Sequence, residues 1–154
     1  PVVEEPVDLA AIAANDAKAN ASEAKEILPP YKKHWKAPKY TANFAHADAG
    51  CQWQGIAGQV FDQDGNPISN LIVRVTGEYD GKPVTWLALT GTKDTKAYGP
   101  GAFEVYFGDK PVDSTRKLRV QVFSPFFKTL TYNFYFDTFS DCEKNLVIIN
   151  FKKR

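Results

Sequence analysis

The stretch GQVFDQDGNPISNLIVRV, residues 58–75, decides the fold, because its centre reads either as a calcium loop or as a turn between strands. An EF-hand loop needs glycine at its sixth position for the sharp turn and a bidentate glutamate at its twelfth to close the coordination shell. Counted from Asp62, the fourth position is Gly65, the sixth is Pro67 and the twelfth is Val73. Neither requirement is met. What remains is an apolar run, a turn with Asp-Gly-Asn-Pro chemistry, and a second run in which Ile68, Leu71, Val73 and Val75 are apolar. The expectation is strand, turn, strand, with no metal at the turn.

From residue 52 onward the same reading gives seven strand-like runs, 52–61, 68–78, 83–90, 102–107, 116–123, 128–136 and 145–152. Leu118, Val120 and Val122 alternate with Arg119 and Gln121, and Phe103, Val105 and Phe107 alternate with Glu104 and Tyr106. That period of two marks half-buried strands. Short strands broken by Asp-Gly, Gly-Pro and Asn-Pro turns predict an antiparallel sandwich over residues 49–154.

Residues 1–48 differ in composition, with alanine in place of large β-branched and aromatic residues. Asp8 can cap a helix over about 8–28, whose apolar positions recur at three- and four-residue steps until Pro29-Pro30 stops it. A stripe so rich in alanine buries little area alone, so this arm needs something to pack on. Its charge is divided: residues 1–30 carry six acids and two lysines, and residues 31–40 carry four lysines and no acid.

The 154 residues, 24% of them charged and 44% hydrophobic, suit one globular domain with an appendage, and a net charge of +1 gives no reason to expect a global polyanion partner such as nucleic acid, although local patches still count. No run of 18 apolar residues could span a membrane. The chain opens on Pro1 and has no methionine, which predicts a mature, exported protein trimmed from a longer precursor. Cys51 starts the first strand and Cys142 precedes the last apolar run. If successive strands alternate in direction, both lie at one end of the sandwich and can pair, as export permits.

Gly55-Ile56-Ala57-Gly58-Gln59-Val60-Phe61-Asp62, then Gly65-Asn66-Pro67-Ile68, then Leu71 and Val73, resembles the carboxypeptidase regulatory-like, or transthyretin-like, domain. The resemblance implies a seven-stranded Greek-key sandwich, Ig-like in architecture, used in secreted and cell-surface bacterial proteins as a structural or adhesive module. It implies nothing about residues 1–48. The transthyretin-like hydrolases of this group rely on sheet histidines and a C-terminal Tyr-Arg-Gly-Ser, whereas this chain ends Phe151-Lys152-Lys153-Arg154 and holds both histidines, His34 and His46, before residue 49. Isopeptide-forming relatives place a lysine on the first strand opposite an asparagine on the last. Asn145 and Asn150 are present, but residues 52–61 contain no lysine.

Neither histidine has a metal-ligand spacing or a recognisable nucleophile motif nearby, so no catalytic residue and no cofactor is expected. Asp48, Asp137 and Asp141 could converge near the disulfide end, with turn capping as the simpler role. The aromatic-basic segment YKKHWKAPKYTANF, residues 31–44, reads first as an anchor on protein surface, with aromatic stacking and lysines that hold single-stranded nucleic acid or another polyanion as the alternative. The leading expectation is an exported structural subunit that self-assembles, as a filament or surface layer, through an arm docking on the next copy. Leu9, Ile12, Ala17, Ala24, Ile27, Trp35 and Tyr40 are the expected interface. The competing expectation is a surface-glycan- or protein-binding adhesion module in which Trp53, Trp86 and Tyr98 face a ligand and the arm is a tether.

Overall fold

The computed structural model describes residues 28–154. The helix expected over 8–28, with Leu9, Ile12, Ala17, Ala24 and Ile27, therefore lies outside the described residues save for Leu28. Ten strands follow: β1 (Tyr31–Lys33), β2 (Lys39–Thr41), β3 (Gln54–Phe61), β4 (Ile72–Tyr79), β5 (Lys82–Leu89), β6 (Ala102–Gly108), β7 (Ser114–Phe123), β8 (Phe134–Thr138), β9 (Leu146–Ile148) and β10 (Phe151–Lys153). A 3-10 turn, Lys93–Tyr98, precedes β6, and no α-helix occurs among the described residues.

The strands form two sheets. In the first, β6 pairs one edge of β3, while β9 and β10 lie end to end along the other; β2 and β1 continue outward from them. The second has the order β5-β4-β7-β8 and is antiparallel throughout. The β4–β5 hairpin turns on Asp80-Gly81, both at positive φ, as a two-residue turn matched to strand twist requires. The 62–67 turn is not a hairpin, because it carries the chain from β3 in one sheet to β4 in the other. It closes on itself: the Asp62 carboxylate accepts the Asp64 and Asn66 N–H groups at 2.9 Å each, and the Asn66 N–H is foremost in lowering the Asp62 pKa.

The expected all-antiparallel sandwich needs correction in the first sheet. β3 runs parallel to both β9 and β10, with Ile56 opposite Val147 and Val60 opposite Phe151. The alternation of strand direction explains it, since the seventh run returns in the sense of the first and settles beside it. Where β9 gives way to β10, a Cβ on Gly58 would fall 1.9 Å from the Ile149 carbonyl oxygen, so only glycine permits this approach. Cys51 and Cys142 precede these two parallel strands and are joined as a disulfide, with Cα atoms 4.9 Å apart.

The lysine-rich segment assigned to the arm also differs from expectation. β1 pairs with β10 and β2 with β9, and Tyr31 is buried in the main core. The composition shift near residue 48 thus marks a loop within the body. Aromatic side chains outweighed the lysines here, because alternate residues point to opposite faces: Tyr31 and Tyr40 turn onto the core, and Lys32 and Lys39 stay exposed.

Between the sheets, Phe103, Phe136, Phe151, Leu118, Ile56 and the valines of β4 and β7 are almost wholly inaccessible. At the disulfide end the core holds a polar knot. Gln54, fully buried, donates from Nε2 to the Val112 and Phe139 carbonyls at 3.1 and 3.0 Å. Its Oε1 accepts from the Val112 N–H at 3.0 Å and the Tyr79 hydroxyl at 2.7 Å. Burial foremost pushes the Tyr79 pKa up to about 12. Replacing Gln54 by leucine should orphan these groups and cost roughly 2–4 kcal/mol, read as a lower urea midpoint with an unchanged slope. Reducing the disulfide, which closes a 91-residue separation, should cost roughly 2–4 kcal/mol by freeing the unfolded chain, read as a lower urea midpoint with a steeper slope.

Candidate functional site

The outward face of the first sheet is floored by small residues of β3, Gly55 and Ala57, because Trp53 lies across them; a Cβ on Gly55 would meet its ring at 2.6 Å. On Trp53, only 4% exposed, stacks the His46 ring at 5.1 Å. His46 Nε2 lies 2.6 Å from Glu104 Oε2, and the Tyr98 hydroxyl donates to that same oxygen at 2.5 Å. Phe44 packs edge-on against Tyr98.

Each member is placed by a separate element. Glu104 points outward from β6 opposite Ala57. Tyr98 ends the 3-10 turn, after which Gly99 takes a positive φ. His46 sits in a loop shaped by two asparagines. Asn145, fully buried, accepts the Asn43 N–H at 2.8 Å and donates to the Gly50 carbonyl at 2.9 Å, and Asn43 Oδ1 accepts the His46 N–H at 2.9 Å. Burial, then the Glu104 hydrogen bond and charge, pushes the Tyr98 pKa well above the ordinary phenol range. The cluster is an imidazole and a phenol sharing one carboxylate. None of its hydrogen-bond partners is a serine, threonine or cysteine.

Sequence reasoning assigned no site role to Glu104 and Asn43, considered Asn145 only as an isopeptide partner, and passed over Gln54; the signals it could have used lie at Asn145 and Gln54, single amides at the head of apolar runs, NLVII and WQGIA. The three aromatics expected to face a ligand divide: Trp53 is buried, Trp86 packs on Phe107 at 4.8 Å, and only Tyr98 borders a cleft. Tyr40 packs edge-on against Phe139 within the same chain, and its hydroxyl accepts the Asp137 N–H at 2.9 Å. Trp35 is 77% exposed. Asp137 and Asp141 cap backbone N–H groups of Arg116 and Glu143. Among the described residues no three histidine, cysteine or acidic side chains, Asp48 included, gather as a metal site.

The outward face of the second sheet has a different character. Register places Thr85, Thr76, Arg119 and Tyr135 in one row, Leu87, Arg74 and Gln121 in the next, and Leu89, Ile72 and Phe123 in a third. The Arg74 guanidinium lies 4.6 Å from the Phe123 ring and bonds Gln121 at 3.1 Å, and Arg116 lies 4.6 Å from the Tyr135 ring. Leu87, Leu89, Phe126 and Phe127 are exposed, and Leu87, Leu89, Ile72 and Phe127 bound a shallow apolar cleft of about 340 Å³. No acid stands in these rows, and no guanidinium among the described residues has a carboxylate partner.

No model of a protein family matches the chain, and no curated protein matches it. Among solved structures it is similar to the dioxygenase domain of a dioxygenase carbohydrate-binding protein fusion from the cellulolytic bacterium Streptomyces sp. SirexAA-E. The identity is 15% and the TM-score 0.38, over 66% of this chain and 77% of that one. A likeness of that degree assigns neither a shared fold nor a shared activity.

The Tyr98 shift has a pH consequence. A phenol whose folded pKa is raised contributes stability that is fully present below its unfolded value near 10 and is lost as pH rises toward the folded value. Tyr98→Phe should therefore cost roughly 1–2 kcal/mol at neutral pH, by removing a donor to Glu104. It should also flatten the fall in melting temperature above about pH 10, measured by thermal unfolding across pH 8–11.

Proposed function

We propose that the chain is an exported, non-enzymatic structural subunit, a Greek-key sandwich of the carboxypeptidase regulatory-like kind, that self-assembles by docking residues 1–27 of one copy on the second sheet of the next. The observation that carries this reading is the stretch of the second sheet's outward face spanned by the Thr76, Arg74 and Ile72 rows, where exposed leucine and phenylalanine interleave with arginine and the acids of that face, Glu78 and Asp137, stand outside the rows. Exposed apolar area of this kind marks an interaction site on a soluble domain. Residues 1–27 are complementary in composition, with six acids, two lysines and an apolar stripe of Leu9, Ile12, Ala17, Ala24 and Ile27. A head-to-tail contact between unlike surfaces propagates into a filament unless its rotation closes a ring. The disulfide supports an oxidising compartment. The His46–Glu104–Tyr98 cluster supports a structural role, since its groups bond one another and not a nucleophile.

The truncation that tests this removes residues 1–27, because a longer one would strip Tyr31 and two strands from the sandwich. Sedimentation should find the full chain associating with rising concentration. Chains lacking 1–27, or carrying Leu87→Ser with Arg119→Glu, should stay monomeric with unchanged far-UV circular dichroism. Charge reversal at Glu4 and Glu5 should weaken association by less than about 1 kcal/mol, as for exposed ion pairs. A full-length chain that stays monomeric at the highest attainable concentration would refute assembly.

A further inference from the structure

On the opposite sheet, we propose that a groove over β2, the end of β9 and the second half of β3 binds an acidic polysaccharide, a chain of pyranose rings bearing carboxylates. Two clefts of about 200 and 320 Å³ there share Lys39, Ile148 and Asn150, and so open into one another. Phe44 and Tyr98 line one end, and Trp35 stands just beyond the other, against the lining residues His34 and Lys36. Trp35 projects between His34 and Lys36, with the His34 ring stacked at 5.8 Å and the Lys36 ammonium 4.8 Å from its own ring. At the far end Phe44, 54% exposed, meets Tyr98 edge-on. Trp35 is 77% exposed, and His34 and Lys36 are its ring contacts among the described residues.

The floor is made of fixed amides. Asn150 Oδ1 accepts the Gln59 N–H at 2.9 Å, and Gln59 Nε2 donates to the Pro100 carbonyl at 2.8 Å. These bonds immobilise both side chains and leave a donor, Asn150 Nδ2, and an acceptor, Gln59 Oε1, without protein partners among the described residues. A donor and an acceptor held in advance lose little freedom on binding. Paired sugar hydroxyls present the complementary acceptor and donor, and the C–H face of a pyranose covers an aromatic ring. Lys36 and Lys39 line the groove and no acid does, which selects sugars carrying carboxylates. Single-stranded nucleic acid fits less well, since successive bases need a continuous series of stacking rings, and here two aromatic ends flank an amide floor.

Affinity electrophoresis of the full chain in gels containing polygalacturonate, neutral dextran or no polymer tests the assignment, with an oligothymidylate as competitor. Retardation by polygalacturonate and not by dextran is expected. Trp35→Ala and Phe44→Ala should each weaken it about tenfold or more, Lys39→Gln should weaken it several-fold and reduce its salt dependence, and Arg119→Gln on the other sheet should leave it unchanged. The Leu87→Ser, Arg119→Glu chain should bind as the parent does, whether or not the assembly reading holds. Absence of retardation overturns the proposal, as does retardation indifferent to Trp35 and Phe44, which would be charge condensation alone. Displacement by oligothymidylate at lower concentration than by oligogalacturonate, or loss of binding in the Leu87→Ser, Arg119→Glu chain, would equally overturn it.

Discussion

The structure depends on the parallel pairing of β3 with β9 and β10. Parallel neighbours cannot be joined by a tight turn and need a long crossover. Here the crossover is most of the domain: residues 62–145 leave the first sheet at the Asp62 turn, build the second, contribute β6 on the way and return beside β3. Loop-closure entropy opposes so distant a contact. The disulfide at the heads of β3 and β9 offsets part of it, and Asn145 ties the same point to residues 43 and 50. Gly58 is the steric condition, since any side chain there would collide with the Ile149 carbonyl.

That pairing also explains the segment before it. β9 and β10 would otherwise leave an outer edge bare, and β1 and β2 cover it in antiparallel register. The covering strands end the sheet with lysines on the solvent side, Lys32 and Lys39 among them, which discourages further strand addition. The body is thus closed at this edge by charge, while its second sheet stays open on its flat face, with leucine, phenylalanine and arginine uncovered. The two faces differ chemically, one amide-floored and aromatic-ended, the other apolar and cationic, and they suit different occupants.

The polar side chains buried near the disulfide make a related point. Gln54, Asn43 and Asn145 have nearly all their hydrogen-bonding groups satisfied by backbone of other segments, so each acts as a staple between loops without secondary structure of their own. Satisfied in this way, buried amides specify a single arrangement, since any slippage would leave a donor or acceptor unpaired.

Local chemistry in the sequence was enough for strands β3 to β7, because alternation, β-branched content and turn residues act within a few positions: Leu118, Val120 and Val122 face inward as their spacing requires, and Asp80-Gly81 turns as its conformational freedom allows. The run 128–136 is strand only from Phe134, and the run 145–152 breaks into β9 and β10. It was enough for the Cys51–Cys142 pair as well, since strand alternation fixes which ends meet. Pairing partners lay beyond it. The parallel register of β3 with β9 and β10, the recruitment of Tyr31 and Tyr40 into the body, and the docking of His46 on Glu104 all join residues 58 or more positions apart. Such contacts are decided by which surfaces the two packed sheets leave to be covered. No neighbouring residue in the chain records that requirement, so only the tertiary structure could assign them.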